Sequence, residues 1–260
     1  MSLSTCVTRI ALTGSASGIG AALRRRLEKE GSEVIGIDIR GADVIADLSK
    51  GSGRRSAIRE VLGRCGGKLD GFVACAGVGP AVGSSPLIVS LNYFGAVELL
   101  DAFKDALVAG APSSVVVVAS NSATALPSLP EDVVDAILSN DEGSARWAAE
   151  DIDPTIAYAA SKLALARAMR RRASEWVKDG VRLNAVAPGA VETPLLAQTL
   201  ADPELGPQVR AFPIPVGRFG TPEEIADAIA FLLGPASAFC CGSVLFVDGG
   251  TDALVRPDRF

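Results

Sequence analysis

The 260-residue sequence contains no histidine. This absence excludes a Ser-His-Asp triad, a Cys-His dyad and any metal site built on histidine ligands. Proton transfer near neutral pH would therefore have to use a tyrosine, lysine, cysteine or carboxyl group with a shifted pKa. We expect no resident metal ion.

Cysteine and long apolar stretches are also scarce. The five cysteines are odd in number and show no CxxC spacing, which favours a reduced, cytoplasmic protein. The most apolar segment, 226–247, is interrupted by Asp227, Gly234, Pro235 and Gly242, so we expect no membrane span. The start of the chain shows no charged region followed by an apolar one, which predicts no secretory signal.

Charge and composition describe a globular chain. Hydrophobic residues make up 48% and charged residues 21% of the sequence, and the formal net charge is −5. No Lys/Arg block forms a basic patch, so we expect no nucleic-acid partner. Without a linker, repeat or low-complexity tract, residues 1–260 are interpreted as one domain.

Short apolar runs alternate with helical patterns along the chain. Strands are predicted at 7–13, 33–39, 44–46, 71–75, 114–119, 181–186 and 244–247, and helices at 18–31, 56–65, 91–107, 158–178 and 222–233. Continuous apolar strands indicate a sheet covered on both faces, and strand–helix alternation predicts a doubly wound parallel (Rossmann) sheet in an α/β fold. Residues 126–155 are interpreted as an insertion with short helices near 131–138 and 143–150.

A glycine-rich turn separates the first strand from the first helix. It reads TGSASGIG and contains Gly14, Gly18 and Gly20, a GxxxGxG spacing in place of the common GxGxxG. Glycines there allow a tight turn and a close approach of the backbone to a pyrophosphate, which the helix N-terminus attracts. The pattern favours a dinucleotide site, with an ordinary structural turn as the alternative.

Acidic residues follow the second and third strands. Asp38 ends the second strand, where a carboxylate can bind both ribose hydroxyls and repel a 2′-phosphate, so NAD is favoured over NADP. Arg40 lies two residues later and weakens that preference. Asp47 and Leu48 follow the third strand and are candidates for an adenine contact, although Asp47 could simply start the next helix.

Tyr158 and Lys162 are four residues apart in the sequence YAASK, and on a helix they share one face. A free tyrosine has a pKa of about 10, and a nearby ammonium would favour the phenolate that proton abstraction requires. A packed tyrosine beside a solvated lysine is the alternative interpretation.

These motifs together resemble the short-chain dehydrogenase/reductase family. They appear in family order as TGSASGIG, ACAG at 74–77, Asn92, Ser120, YAASK and APGAVETP at 187–194. Two features depart from the common pattern. ACAG replaces Asn-Asn-Ala-Gly, and Ser120 lies much further from Tyr158 than usual because of the insertion.

The resemblance implies a role for each of these residues. Tyr158 would be the acid/base, Lys162 would hold the nicotinamide ribose, and Ser120, with Ser122 as a rival, would bind the substrate oxygen. Asn92 would bend its helix and hold a water, unless it is only a helix cap. The implied nucleotide contacts are Gly14, Ser17, Gly18, Ile19, Gly20, Asp38, Arg40, Asp47, Leu48, Cys75, Ala76, Gly77, Tyr158, Lys162, Pro188, Gly189, Val191 and Thr193.

Longer stretches, such as VIGIDIRGADVIADLS and VDGGTDALVRPDRF, resemble a subgroup of bacterial 3α-hydroxysteroid dehydrogenases/carbonyl reductases and coniferyl-alcohol dehydrogenases. The apolar loop 190–216 suits a large hydrophobic substrate. We therefore expect NAD-dependent interconversion of a secondary alcohol and a ketone, most simply on a 3α-hydroxysteroid. An aryl or terpene alcohol dehydrogenase and a non-catalytic NAD(H)-sensing module are the alternatives.

The resemblance also implies a homodimer formed through about 222–233 and 243–247, because the insertion would block the usual four-helix interface.

Overall fold

The computed structural model describes residues 8–126 and 129–259, and its strands form one parallel sheet. The order across the sheet is β3-β2-β1-β4-β5-β6-β7. The strands are β1 Arg9–Thr13, β2 Glu33–Asp38, β3 Val44–Ile45, β4 Gly71–Ala74, β5 Ser113–Val118, β6 Val181–Pro188 and β7 Val244–Val247. The predicted doubly wound α/β fold is confirmed.

Helices cover both faces of the sheet. They are α1 Gly18–Lys29, α2 Gly51–Cys65, α3 Ser85–Val89, α4 Gly95–Ala102, α5 Lys104–Ala109, α6 Ser122–Ala125, α7 Glu131–Leu138, α8 Glu142–Ala148, α9 Pro154–Trp176, α10 Pro194–Ala201, α11 Leu205–Ala211, α12 Pro222–Leu233 and α13 Thr251–Val255. Val115 and Val117 of β5 pack into the core beneath α2, α4 and α9, whereas Val116 and Val118 pack into the core beneath α1 and α12. Because both faces are buried, the strand is apolar throughout.

Two segments differ from the sequence prediction. The helix predicted over 91–107 is interrupted: Ser90–Phe94 forms a π-helical turn between α3 and α4, and the chain breaks again at Phe103 before α5. The apolar loop predicted at 190–216 contains α10 and α11. Thr193 and Pro194 supply the start signal of α10, because the Thr193 hydroxyl accepts a hydrogen bond from the Leu196 amide.

The insertion packs onto the α9 side of the sheet. Its first helix, α7, has the predicted bounds, and α8 begins and ends slightly earlier than predicted. Arg167 on α9 forms a two-pronged ion pair with Glu131 on α7, and buried Arg54 on α2 pairs with Glu142 on α8. These pairs fasten both insertion helices to the main fold. Across 8–126 and 129–259, no helix is both long and apolar enough to cross a membrane.

Candidate active site

Two adjoining cavities lie beyond the carboxyl ends of the strands, where ligands of such sheets bind. The glycine-turn cavity, about 320 Å³, is lined by the turn after β1, the end of β2 and the ACAG segment after β4. The tyrosine cavity, about 440 Å³, is lined by the segments after β5 and β6 and by α9, α10 and α11. The lining residues that the two cavities share are Ile19, Cys75, Gly77, Thr193 and Leu195.

The glycine turn is closed by backbone packing. Gly14 has a φ of +69°, and a Cβ atom there would lie 2.9 Å from the Cα of Ala76. A Cβ at Gly20 would lie 2.0 Å from the Gly14 carbonyl oxygen, so neither position accepts a side chain. Thr13 completes the turn, because its hydroxyl oxygen accepts hydrogen bonds from the amides of Cys75 and Ala76, each 3.0 Å away. Sequence reasoning missed Thr13, whose only signal was its position at the end of β1.

The N-terminus of α1 faces the glycine-turn cavity with its amide groups available. Ser17 is the N-cap residue, but its side chain makes no capping hydrogen bond, and the first turn of α1 carries no acidic residue. Uncapped amides at a helix N-terminus bind phosphate groups well. The close-packed glycines and this helix end therefore fit a dinucleotide such as NAD.

Asp38 and Arg40 line the other end of the glycine-turn cavity. The Asp38 carboxylate accepts hydrogen bonds from the amides of Ala16 (3.0 Å) and Ile39 (2.7 Å), which hold it at the cavity wall. Leu48 also lines the cavity.

Asp47 is placed differently from its neighbour Leu48. Its carboxylate binds the hydroxyl (2.6 Å) and amide (3.1 Å) of Ser49 and pairs with Lys50. The Ser49 hydroxyl is the largest influence on the Asp47 pKa, which is lowered. Asp47 is not among the residues that line the cavity, and its adenine contact stays a prediction.

The four predicted catalytic residues converge from three elements. Ser120 follows β5, Tyr158 and Lys162 lie on α9, and Asn92 lies in the π-helical turn. Ser120, Tyr158 and Lys162 line the tyrosine cavity, together with Pro188, Gly189 and Val191. Tyr158 is half-buried, whereas Ser120, Lys162 and Asn92 are buried.

Lys162 is hydrogen-bonded to the sheet. Its ammonium nitrogen donates a hydrogen bond to the Val118 carbonyl at 2.8 Å and lies 5.8 Å from the centre of the Tyr158 ring. Burial lowers the pKa of Lys162 to about 8. The lysine is thus charged at neutral pH and close to losing its proton at alkaline pH.

Burial raises the pKa of Tyr158, and the neighbouring Ser120 hydroxyl acts in the opposite direction. Burial is the larger of these two effects, and Lys162 is not among the causes of the shift. Ser120 itself accepts hydrogen bonds from the amide (3.2 Å) and hydroxyl (2.9 Å) of Ser122. Its own proton therefore remains available for a substrate oxygen or for Tyr158.

Asn92 lines neither cavity. Its side chain is hydrogen-bonded to the backbone of the segment between them. Its side-chain oxygen accepts a hydrogen bond from the Val78 amide at 2.9 Å, and its nitrogen donates to the Val78 carbonyl at 3.0 Å. A Cβ at Gly77 would lie 3.0 Å from the Asn92 oxygen and 3.5 Å from the Lys162 nitrogen. Asn92 thus fixes the segment that separates the cavities, and it is not a helix cap.

The rest of the tyrosine cavity is largely apolar. Its apolar lining includes Pro80, Leu126, Leu195, Leu196, Leu205, Val209, Phe212 and Ile214. Ser120, Ser122 and Tyr158 form a polar group on this wall, which gives a hydrophobic ligand one place to present an oxygen. Thr193 lines both cavities while also capping α10. Within the described residues, no cluster of cysteine, aspartate and glutamate could hold a metal ion.

The chain is similar to known proteins over nearly its whole length. It is 45% identical to a 3-alpha-hydroxysteroid dehydrogenase/carbonyl reductase of Comamonas testosteroni, across 96% of this chain and 99% of that one. It is 31% identical to a cis-4-hydroxycyclohexanecarboxylate dehydrogenase of Sinomonas cyclohexanicum, across 94% of this chain and 96% of that one.

The chain also matches a solved structure and a family model. The crystal structure of a 3-alpha-hydroxysteroid dehydrogenase from Pseudomonas sp. B-0831, complexed with NADH, superimposes with a TM-score of 0.94 at 52% identity, covering 97% of this chain and all of that one. A family model described as enoyl-(acyl carrier protein) reductase matches residues 136–252.

Proposed function

The chain belongs to the short-chain dehydrogenase/reductase family, and we propose that it is an NAD-dependent oxidoreductase that interconverts a secondary alcohol and a ketone on a hydrophobic substrate. The observation that carries this proposal is the placement of Ser120 and Tyr158 on the wall of an apolar cavity that adjoins the glycine-turn cavity. A non-catalytic NAD(H)-sensing module would have no need of that pair.

Each residue has a chemical task in this proposal. NAD, when bound, supplies the hydride acceptor for alcohol oxidation. Tyr158 takes the proton of the substrate hydroxyl in oxidation and returns it in ketone reduction. Ser120 donates a hydrogen bond to the substrate oxygen and so stabilises negative charge that develops there. Lys162 keeps a positive charge beside the reacting oxygens and would hold the nicotinamide ribose.

NAD is the cofactor that the charges favour. The residues that would hold it are the α1 N-terminus for the phosphates, Asp38 for the adenosine ribose, and Leu48 with Ile39 for the adenine. A fixed carboxylate accepts the ribose hydroxyls and repels a 2′-phosphate. The similar Pseudomonas enzyme was solved with NADH, which supports the same choice here.

A 3α-hydroxysteroid/3-ketosteroid pair is the substrate that we propose first. The names of two similar proteins and the large apolar wall of the tyrosine cavity support it. Smaller cyclic alcohols are the second candidate, because the Sinomonas relative is named for a hydroxycyclohexane. Aryl alcohols such as coniferyl alcohol would suit the same cavity.

The substrate is tested by following NADH formation in the near ultraviolet with NAD and single alcohols. Androsterone, its 3β epimer, coniferyl alcohol and cyclohexanol form the panel. Turnover of androsterone but not of its epimer is expected. Turnover of only the smaller alcohols would retain the mechanism and refute the steroid assignment. NADH binding without any turnover would favour the sensing module.

We also propose a homodimer through α12 and β7. The strand β7 lies at the open edge of the sheet, and none of its side chains is fully buried. Exposed apolar side chains occur on β7 itself, on α12 and in the segments on either side of β7, namely Leu245, Phe231, Phe239, Leu254 and Val255. A patch of this kind marks an interface. Light scattering should show a dimer that Phe239→Glu converts to a monomer. The control Trp147→Glu, on the exposed surface of α8, should remain dimeric.

A cytoplasmic location completes the proposal. Cys65, Cys75, Cys240 and Cys241 are free thiols in the structure, as suits a reducing compartment, and Cys6 lies outside the described residues. Fractionation of the source cells tests this location, which would be contradicted by recovery of the protein outside the cytoplasm.

A further inference from the structure

A buried carboxylate near the C-terminus reaches the turn that carries Ser120. Asp252 on α13 is 8% exposed, and one of its oxygens accepts a 2.6 Å hydrogen bond from the Thr124 hydroxyl. We use "Ser120 turn" for residues 119–125. Thr124 lies within it, on α6. Neither Thr124 nor Asp252 lines the tyrosine cavity, so neither is placed to touch a substrate.

Asp252 is itself firmly held. Arg256 donates to both of its oxygens, at 2.8 and 2.9 Å, and the Arg256 guanidinium stacks over the Phe246 ring of β7. Burial acts to raise the pKa of Asp252, but the hydrogen bonds from Arg256 and Thr124 outweigh it and the net shift is downward. The carboxylate therefore stays charged near neutral pH and is a strong, fixed acceptor.

Neighbouring residues of the same segment make parallel contacts. The Asp248 carboxylate accepts hydrogen bonds from the Asp252 amide (2.7 Å) and from the side chain of Asn121 (3.4 Å), which follows Ser120. The Thr251 hydroxyl lies 3.1 Å from the carbonyl of Pro213, in the segment that covers the tyrosine cavity. The residues 248–252 thus contact both the Ser120 turn and the opposite wall of the cavity.

From these contacts we infer that Asp252 is a positioning residue that holds the Ser120 turn through Thr124. The inference rests on the proposed function only in making Ser120 the group that binds the substrate oxygen. Without the Asp252 contact, the Ser120 turn would lose the shorter of its two hydrogen bonds to a carboxylate, and Ser120 would sample orientations unsuited to the substrate. Small misplacements of this kind cost catalysis more than binding.

The test compares three variants of the full-length protein. Thr124→Val keeps the shape of the side chain and removes its donor, whereas Thr124→Ser keeps the donor and removes a methyl group. Asp252→Asn keeps the shape and removes the charge. Amide hydrogen exchange of the Ser120 turn is measured by mass spectrometry, with the glycine turn as an internal reference, because its amides make no contact with this segment.

Thr124→Val and Asp252→Asn should each speed exchange in the Ser120 turn about tenfold, the loss expected for one hydrogen bond to a charged group. In the same variants kcat should fall about tenfold while the dissociation constant of NADH is unchanged. Thr124→Ser should restore both quantities. Thermal unfolding of each variant checks that it is folded at the temperature of the assay.

Several outcomes would overturn the inference. Equal behaviour of the Val and Ser variants would show that the hydroxyl does not matter. A higher KM with unchanged exchange would mean that Thr124 meets the substrate directly. If the unaltered protein oxidises no alcohol, the proposed function fails, yet the exchange comparison still decides whether Asp252 holds the turn. Unchanged exchange in all three variants would refute it in either case.

Discussion

The ammonium of Lys162 donates its hydrogen bond to the carbonyl of Val118, the last residue of β5. This contact ties α9, which carries Tyr158 one turn earlier, to the strand that ends two residues before Ser120. The proposed acid/base and the proposed substrate-binding hydroxyl are therefore held by one cross-link between helix and sheet. Lys162 thus has a structural task as well as its proposed chemical one.

The buried ammonium should give the protein a specific dependence of stability on pH. Burial lowers the Lys162 pKa from its ordinary 10.5 to about 8, so between these values the unfolded chain binds the proton that the folded chain has lost. Stability then rises with pH across that window, by about 3 kcal/mol in total for this group. Below pH 8 both states are protonated, and the cost of burying the charge is fully present.

Lys162→Met provides the comparison. The free energy of unfolding is measured by urea denaturation at several pH values between 7 and 10.5 for both proteins. The unfolding free energy of the unaltered protein minus that of the variant should grow as the pH rises from about 8. Parallel curves would show that Lys162 titrates normally and is not desolvated.

Tyr158→Phe removes the hydroxyl that we propose takes the substrate proton. Turnover should fall at least about 100-fold, the usual contribution of a general acid/base, while NADH still binds. The only other tyrosine of the chain gives a matched control: Tyr93 is buried in the core and lines neither cavity. Tyr93→Phe should keep its turnover within a few-fold of the original. Normal turnover by Tyr158→Phe would refute the mechanism.

The pH dependence of alcohol oxidation is a second test of Tyr158. Oxidation needs the phenolate, and burial raises the pKa of Tyr158 above its ordinary value of 10. The rate of oxidation should therefore still be rising with pH well above neutrality. Ketone reduction, which needs the phenol, should stay level there and fall only as the pH approaches the raised pKa. Initial rates in both directions over the same pH series check this. A rate of oxidation that is flat with pH would contradict the role of Tyr158.

Features that depend on neighbouring residues were the ones that the sequence predicted well. The run Val115–Val118 could only be a strand buried on both faces, and the glycines between β1 and α1 required a tight turn. The spacing of Tyr158 and Lys162 alone predicts that they share a helix face. The predicted end of β5 places Ser120 at the carboxyl edge of the sheet. These inferences use local periodicity and the parallel order of the strands, and they predicted the fold. The assignment of these three residues to one site came from the family resemblance and stays a prediction.

Features that depend on distant partners were missed. The π-helical turn at Asn92 is accompanied by a side-chain contact with Val78, which periodicity does not register, so the bend was expected from the family resemblance alone. The contact of Asp252 with Thr124 spans 128 positions of the chain. Helices α10 and α11 were hidden because proline and apolar residues there were interpreted as a loop.

Asn92 should matter for stability as much as for chemistry. Asn92→Leu would leave the amide and carbonyl of Val78 without partners, and Asn92→Asp would place a carboxylate oxygen against that carbonyl. Each change should cost about 1–3 kcal/mol of unfolding free energy, as expected for buried polar groups that lose their hydrogen bonds. Urea denaturation of both variants checks this. No loss in either variant would show that the segment 77–78 is held by other contacts.

Cofactor choice should depend on Asp38 and Arg40 together. Asp38 is the carboxylate at the cavity wall, and Arg40 is an exposed cation that lines the same cavity. Asp38→Ala removes the repulsion of a 2′-phosphate, so the ratio of kcat/KM for NADP to that for NAD should rise roughly tenfold to a hundredfold. The double variant Asp38→Ala/Arg40→Ala should lose much of this gain, because the cation that would attract the 2′-phosphate is then removed as well. Arg40→Ala alone serves as the control and should leave the preference for NAD in place. If Asp38→Ala leaves the ratio unchanged, Asp38 does not face the ribose, and if the double variant keeps the whole gain, Arg40 does not reach the phosphate.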